Sequence, residues 1–451
     1  MRSISEVVNH FKQNWISELS DGRIEQACRD SGMNWINSLL NPVATIQIFL
    51  LQVLFGNTAC IHMPRLTGMC FTAAGYCKAR LRIKLEVFQL LLHRCVDQLQ
   101  TSTLETSRWF GFRVFIVDGS SFSMPDTPVL QSFFGQPGGQ KPGCGFPVAH
   151  WLAMVHLQTG MITKMLASPM RTHDMARTVE LHPELGAGDV LLGDRGFCSY
   201  AHLALLMARQ VHAVFRIHQR TIVDFTPHRP HAVPGKGKAA KRKGMPRSKW
   251  LRKLGIQDQI VQWLKRPRDV PSWMTIEQYE ALPSQLTVRE LRYKINKQGF
   301  RVKQITLVTT LLDHELYSLE DIAELFRRRW EIETNFGHIK TTMGMDVLKC
   351  KTVDGVLREL HAFALVYNLV RQVILESARR QQVPVNRISF IDAIRWLQTF
   401  DHKRQPAEIQ LLPIRPDRCE LRVKKRRQKE YTLMTKPVSY THLTLPTNRE
   451  V

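Results

Sequence analysis

Two short apolar runs that each stop at an aspartate constrain this chain more than any other feature. Residues 114–117, Val-Phe-Ile-Val, run into Asp118, and residues 190–193, Val-Leu-Leu-Gly, run into Asp194. Runs this short and this apolar fit buried strands, and a carboxylate at the close of such a run stands where the sheet gives way to solvent. A third acid, Glu333, lies far downstream in a basic stretch with helical spacing. Two strand-end carboxylates and one helical carboxylate can converge from distant sequence to hold divalent metal ions beside a phosphodiester.

The chain has 451 residues, too many for one ordinary core, so two or three domains around one large mixed sheet are expected. Lys and Arg outnumber Asp and Glu by 63 to 39, a formal net charge of +24, which favours a polyanionic partner, with nucleic acid first, over a surface kept basic for solubility alone. Nine cysteines without any C-x-x-C pair indicate neither a disulfide framework nor a zinc site and fit a reducing cytoplasm. Residues 1–15 carry Glu6, His10 and Lys12 and lack the continuous apolar core of a signal peptide. The most apolar stretch, 43–55, is broken by Thr45, Gln47 and Gln52, so it reads as a buried helix and no membrane partner is expected.

Helical spacing dominates residues 1–105, which read as an all-helical domain. Strand patterns then take over at 113–118, 148–157 and 161–167, with Gln158-Thr159-Gly160 turning between the last two. A helix at 174–181, a strand at 189–194, a helix at 200–209 and a strand at 212–217 follow. Three strands including an antiparallel hairpin, then alternating helix and strand, is the order of a ribonuclease H-like mixed sheet, in which Asp118 and Asp194 would end adjacent strands. The fold class is therefore mixed α/β, with residues 106–218 as the first part of the core. Residues 219–303 shift to Pro, Gly and Lys, including the basic run 235–244, and read as a β-rich insertion whose run is either a DNA-backbone clamp or a solvated excursion, with strands at 286–295 and 304–311 returning the chain to the sheet. Residues 304–375 complete the core, and 376–438 form a C-terminal helical and basic region with the cluster 424–429.

Ser318 and Asp321 form a shortened capping box, so a helix is predicted from 319 to about 343. At ~100° per residue, Phe326, Arg329, Glu333 and Lys340 fall within a sector of about 60°. A carboxylate flanked on one face by Arg and Lys suits metal-dependent phosphoryl transfer, the cations gripping non-bridging oxygens. An Arg-Glu pair with a solvated Lys would show the same spacing. Arg195, after the second aspartate, is either a surface turn residue or a backbone contact. Trp330 faces another side of the helix, for core packing or base stacking. Asp126 and Asp313 read as turn or cap residues.

The segment 326–340, Phe-Arg-Arg-Arg-Trp-Glu-Ile-Glu-Thr-Asn-Phe-Gly-His-Ile-Lys, resembles the tyrosine-arginine-glutamate-lysine signature of bacterial transposases of the insertion-sequence-four family. Arg329, Glu333 and Lys340 match it in type and spacing, while Phe326 keeps the ring of the tyrosine and loses its hydroxyl. Val117-Asp118-Gly119-Ser120 and Gly193-Asp194-Arg195-Gly196-Phe197 resemble the two aspartate motifs, in the same order, and the resemblance spans about 35–436. It implies a DDE enzyme with Asp118, Asp194 and Glu333 as catalytic residues and as ligands of two Mg²⁺ ions, Mn²⁺ being an alternative. Arg329, Lys340, Phe326 and Arg195 would contact DNA. It further implies cut-and-paste transposition, with double-stranded DNA as partner, a homodimer bridging two ends, residues 1–105 binding the element ends, and a bacterial, nucleoid-associated location. A defective copy acting only as a DNA-binding regulator, or a nuclease without strand transfer, are the alternatives. Residues 439–451 continue no upstream pattern and resemble translated sequencing-adapter ends, so they are expected to be non-native.

Overall fold

Val- and Leu-rich runs with too little length for helices pair into a single sheet. The computed structural model describes residues 19–102, 108–138, 141, 143–170, 172, 174–232, 244–267, 269–295, 304–399 and 408–413. Residues 1–15, the basic run up to residue 243, the cluster 424–429 and residues 439–451 lie outside them. The strands are β1 (Val114–Ser123), β2 (Val148–His156), β3 (Ile162–Pro169), β4 (Val190–Gly193), β5 (His212–Arg216), β6 (Ser248–Gly255), β7 (Asp258–Leu264), β8 (Gln285–Lys294) and β9 (Gln304–Thr309), in the order β3-β2-β1-β4-β5-β9-β8-β7-β6. β1, β4 and β5 are parallel neighbours, and β2 and β3 continue as an antiparallel hairpin, as expected of a ribonuclease H-like core. The strands of 248–294 do not form a sheet of their own: β9 pairs antiparallel with β5, and β8, β7 and β6 extend the same ladder.

Two expectations are corrected. Asp118 does not end its strand: β1 runs on to Ser123, but its pairing with β4 stops at Val117–Gly193, and on that edge the next bridge among the described residues is Ser123 with Val347. The side of β1 that carries Asp118 is thereby opened without the strand ending. The predicted helix 319–343 is four segments in series: Leu319–Arg327, a 3₁₀ turn Arg328–Trp330, Glu331–Gly337 and a π turn His338–Thr342. Tightening at the first turn and unwinding at the second offset each other, so the motif still lies along one side. The hairpin β6–β7 has no counterpart in the sequence pattern, because Lys249, Arg252 and Lys253 interrupt the alternation of an edge strand whose charges discourage further pairing.

One core runs from the N-terminal helices through the sheet. Phe49 and Phe88, from helices Pro42–Leu54 and Leu85–Ser102, belong to the same buried cluster as Ile116 of β1, Val214 of β5, Phe326 and the long helix Val353–Gln381. That helix also supplies buried Glu359, whose carboxylate accepts from Asn57 Nδ2 at 2.5 Å and from the Lys349 and Cys350 amides at 2.9 and 2.8 Å. Further along, the Asn368 side chain behaves as a strand edge, donating to Ile162 O and accepting from Ile162 N, both at 2.9 Å. No helix among the described residues is long and apolar enough to cross a membrane.

Candidate active site

Strand register aligns the acids. Val117 lies opposite Gly193 and Gly193 opposite Phe215, so Asp118, Asp194 and Arg216 are the next residues of three adjacent strands and share the sheet face that packs under the motif helix. Asp118, Gly119, Ser120, Asp194, Arg329, Glu333, Phe336, Gly337, Lys340 and Thr341 line one open cleft of about 500 Å³. Arg329, almost fully buried, joins the two sides. Its Nη1 donates to Asp118 Oδ2 at 3.1 Å and its Nη2 to Glu333 Oε1 at 3.2 Å. Lys340 Nζ donates to Ser120 Oγ at 2.9 Å, and Asp118 Oδ1 accepts from the Gly119 amide at 2.8 Å.

Burial pushes the Asp118 carboxyl up to about 6, the charges of Asp194 and Glu333 pushing the same way against the Gly119 amide and Arg329. Burial also lowers Lys340 from its ordinary value, with Asp346 opposing. Asp194 has a buried Oδ1 without a hydrogen bond among the described residues, and Arg216 Nη1 stands 3.9 Å from it.

These observations test whether the site suits a divalent cation. Three carboxylates facing one cleft, one of them protonation-prone through burial and neighbouring negative charge and one with an orphaned oxygen, form a hard oxygen donor set that fits such an ion. Among the described residues no three acidic, His or Cys side chains are already arranged as a metal cage, because Arg329 stands between Asp118 and Glu333.

Of the residues marked in the sequence, Asp118, Asp194, Glu333, Arg329 and Lys340 meet in this cleft. Phe326, expected at the DNA, is instead buried at 2% exposure, with its ring 5.9 Å from the Arg329 guanidinium, because its position on the helix turns into the core. Arg195 is exposed outside the cleft lining and donates to Gln219 Oε1 at 3.0 Å. Trp330 is 49% exposed rather than packed in the core, with the Arg329 guanidinium 5.2 Å from its ring. Asp313 accepts from the amides of Glu315 and Leu316, the turn role expected, whereas Asp126 accepts from the Gln131 side chain and the cap of the next helix is Thr127. Arg216 and Ser120 escape sequence reasoning. Counting register outward from Asp194 onto the next strand would find the first, and the serine stands inside the first aspartate motif.

Residues 109–369 match the family described as Transposase DDE domain. The chain belongs to that family. Among curated proteins, the Transposase InsG for insertion sequence element IS4 of Escherichia coli (strain K12) is 25% identical over 283 residues, covering 62% of this chain, and the match spans only 56% of that relative's length. The insertion-sequence-four type read from the motifs agrees with this. A solved structure described as a piggyBac transposase synaptic complex with hairpin DNA is similar at 10% identity and a TM-score of 0.43, over 88% of this chain and 79% of that one.

Proposed function

We propose that this DDE-family chain is a transposase that binds double-stranded DNA, cleaves it at the ends of an insertion sequence and joins the freed 3′-OH to a target, in cut-and-paste fashion. The observation that carries this reading is the meeting of Asp118, Asp194 and Glu333 with Arg329 and Lys340 in one cleft. Asp118, Asp194 and Glu333 are the residues that would hold Mg²⁺, two ions by preference and Mn²⁺ as substitute. Bound there, divalent ions supply an activated hydroxyl and charge stabilisation at the leaving 3′ oxygen. Asp118 and Asp194 fix their oxygens through the rigidity of adjacent strands, so the two carboxylates keep their separation while a strand of DNA passes. Lys340 and Arg329 supply donors for non-bridging phosphate oxygens, and Ser120 orients the lysine. Arg216, in line with the aspartates, adds positive charge on the far side of Asp194.

Residues 1–105 are proposed to bind element ends, 106–218 and 304–375 to form the catalytic domain, 219–303 its insertion and 376–438 a C-terminal region. A homodimer in the DNA complex and a nucleoid-associated place in the bacterial cytoplasm complete the reading. The test is an Mg²⁺-dependent assay on DNA carrying the sequence that borders the gene. Wild-type protein is expected to cleave and join, and Glu333→Gln to lose both by at least ~100-fold while still binding the ends. Cleavage retained by Glu333→Gln would contradict the assignment, binding without cleavage by the wild type would favour a regulator, and cleavage without joining a simple nuclease.

A further inference from the structure

Resting on the proposed function, one feature of the cleft specifies how its parts assemble. We infer that Arg329 is an internal counter-ion that fills the gap between Asp118 and Glu333 until a DNA phosphate draws it away, so that divalent cations and DNA enter the site cooperatively.

The guanidinium bridges the two carboxylates at 3.1 and 3.2 Å, longer than the roughly 2.7–2.9 Å of a well-formed charge-assisted bond, so neither contact is at its strongest. The side chain is only 6% exposed, and its Nε is buried without a hydrogen-bond partner among the described residues. Its donors are therefore incompletely used where it stands. No other cation reaches Asp118 or Glu333 among the ion pairs of the described residues, and Arg216 serves only Asp194, at 3.9 Å. A divalent ion drawn by Asp118 and Glu333 must compete with the guanidinium for the same oxygens, since two cations cannot share one gap between two acids. A phosphodiester in the same cleft offers Arg329 two non-bridging oxygens in a fork geometry like that of a carboxylate. Turning to the phosphate frees Asp118 and Glu333, and an ion taken up by them releases the arginine toward the phosphate. Each ligand removes the obstacle to the other, and thermodynamic linkage makes that coupling equal in both directions.

The test reads occupancy rather than turnover: Mn²⁺ binding to the full chain followed by electron paramagnetic resonance, with and without a duplex made from the sequence bordering the gene. Without DNA, Arg329→Gln is expected to bind Mn²⁺ about 10-fold more tightly than wild type. The duplex should tighten Mn²⁺ binding about 10-fold in wild type and leave Arg329→Gln nearly unchanged. Arg329→Lys, which keeps the charge but not the fork, should match wild type without DNA and show weaker coupling, and it decides the matter if the glutamine variant melts early. Equal Mn²⁺ affinities in wild type and Arg329→Gln under both conditions, with Glu333→Gln weakening binding, would overturn the counter-ion while leaving the metal site intact. Wild type that neither cleaves DNA nor binds Mn²⁺ more tightly than Glu333→Gln would overturn the proposed function itself.

Discussion

At the scale of single residues, Asp118 is the cleft carboxylate whose protonation burial shifts. Its folded carboxyl is pushed up to about 6 from an ordinary 3.8, chiefly by burial. A raised folded value means that folding favours the protonated form. The associated stability is fully present below pH 3.8 and is lost as pH rises through about 6. Asn at this position does not titrate. Wild-type stability relative to Asp118→Asn should therefore fall by about 2–3 kcal/mol between roughly pH 3.5 and pH 7.5 in chelator, because each tenfold change in proton affinity is worth ~1.4 kcal/mol. Urea melts of both proteins at the two pH values check it; a gap that stays constant would mean the carboxyl is not desolvated. The sequence showed the acids because each closes a distinctive run or sits in a spaced motif. It could not show that Arg329 bridges two of them, since Asp118 lies 211 positions away. Nor could it show that Phe326 turns inward, a matter of packing against the sheet rather than of spacing.

Among the elements, short strands were legible where apolar runs were pure and illegible where charges broke them. β4 and β5 came within a residue or two of their bounds, while β6, an edge strand with Lys249, Arg252 and Lys253, gave no alternation to follow. The helix start at Ser318 was readable because its capping box is local: Ser318 Oγ accepts from the Asp321 amide at 3.1 Å and Asp321 accepts in return from the Ser318 amide at 3.2 Å. Its interior 3₁₀ and π turns, Arg328–Trp330 and His338–Thr342, carry no such local signal. The long helix Val353–Gln381 is pinned to the β2–β3 turn. Tyr367 donates to Gly160 O at 2.9 Å, Arg371 packs on Gly160, whose φ of +68° no side chain takes without strain, and Asn368 closes the edge at Ile162. Asn368→Ala removes two buried hydrogen bonds and strands both Ile162 groups. A loss of about 2–4 kcal/mol is expected by denaturant unfolding, whereas a loss below ~0.5 kcal/mol would mean water replaces the amide.

For the whole molecule, the region expected as a separate helical domain shares its core with the sheet, through contacts no local pattern announces. Glu359 is the hub of that seam, reaching Asn57 on one side and the Lys349–Cys350 backbone on the other. Arg358 adds bonds to the carbonyls of Leu81 and Ile83 at 3.1 and 2.6 Å. Glu359→Ala should destabilise the protein by about 3 kcal/mol, since it leaves the buried Asn57 side-chain amide and the part-buried Lys349 and Cys350 backbone amides unmet. Calorimetry is expected to show one transition for wild type and two for the variant; a single peak for both would place the coupling elsewhere.

The continuous sheet has a mechanical consequence. Because β9 is bonded to β5 and carries β8, β7 and β6 with it, these outer strands cannot swing as a hinged arm against the carboxylate row. With about 4.8 Å between neighbouring strands, the five gaps from β4, which Asp194 follows, to β6 span roughly 24 Å. Whatever that flank grips is held at a set distance from the acids, so in the proposed reaction the sheet would serve as a straightedge that fixes the span between grip and carboxylates.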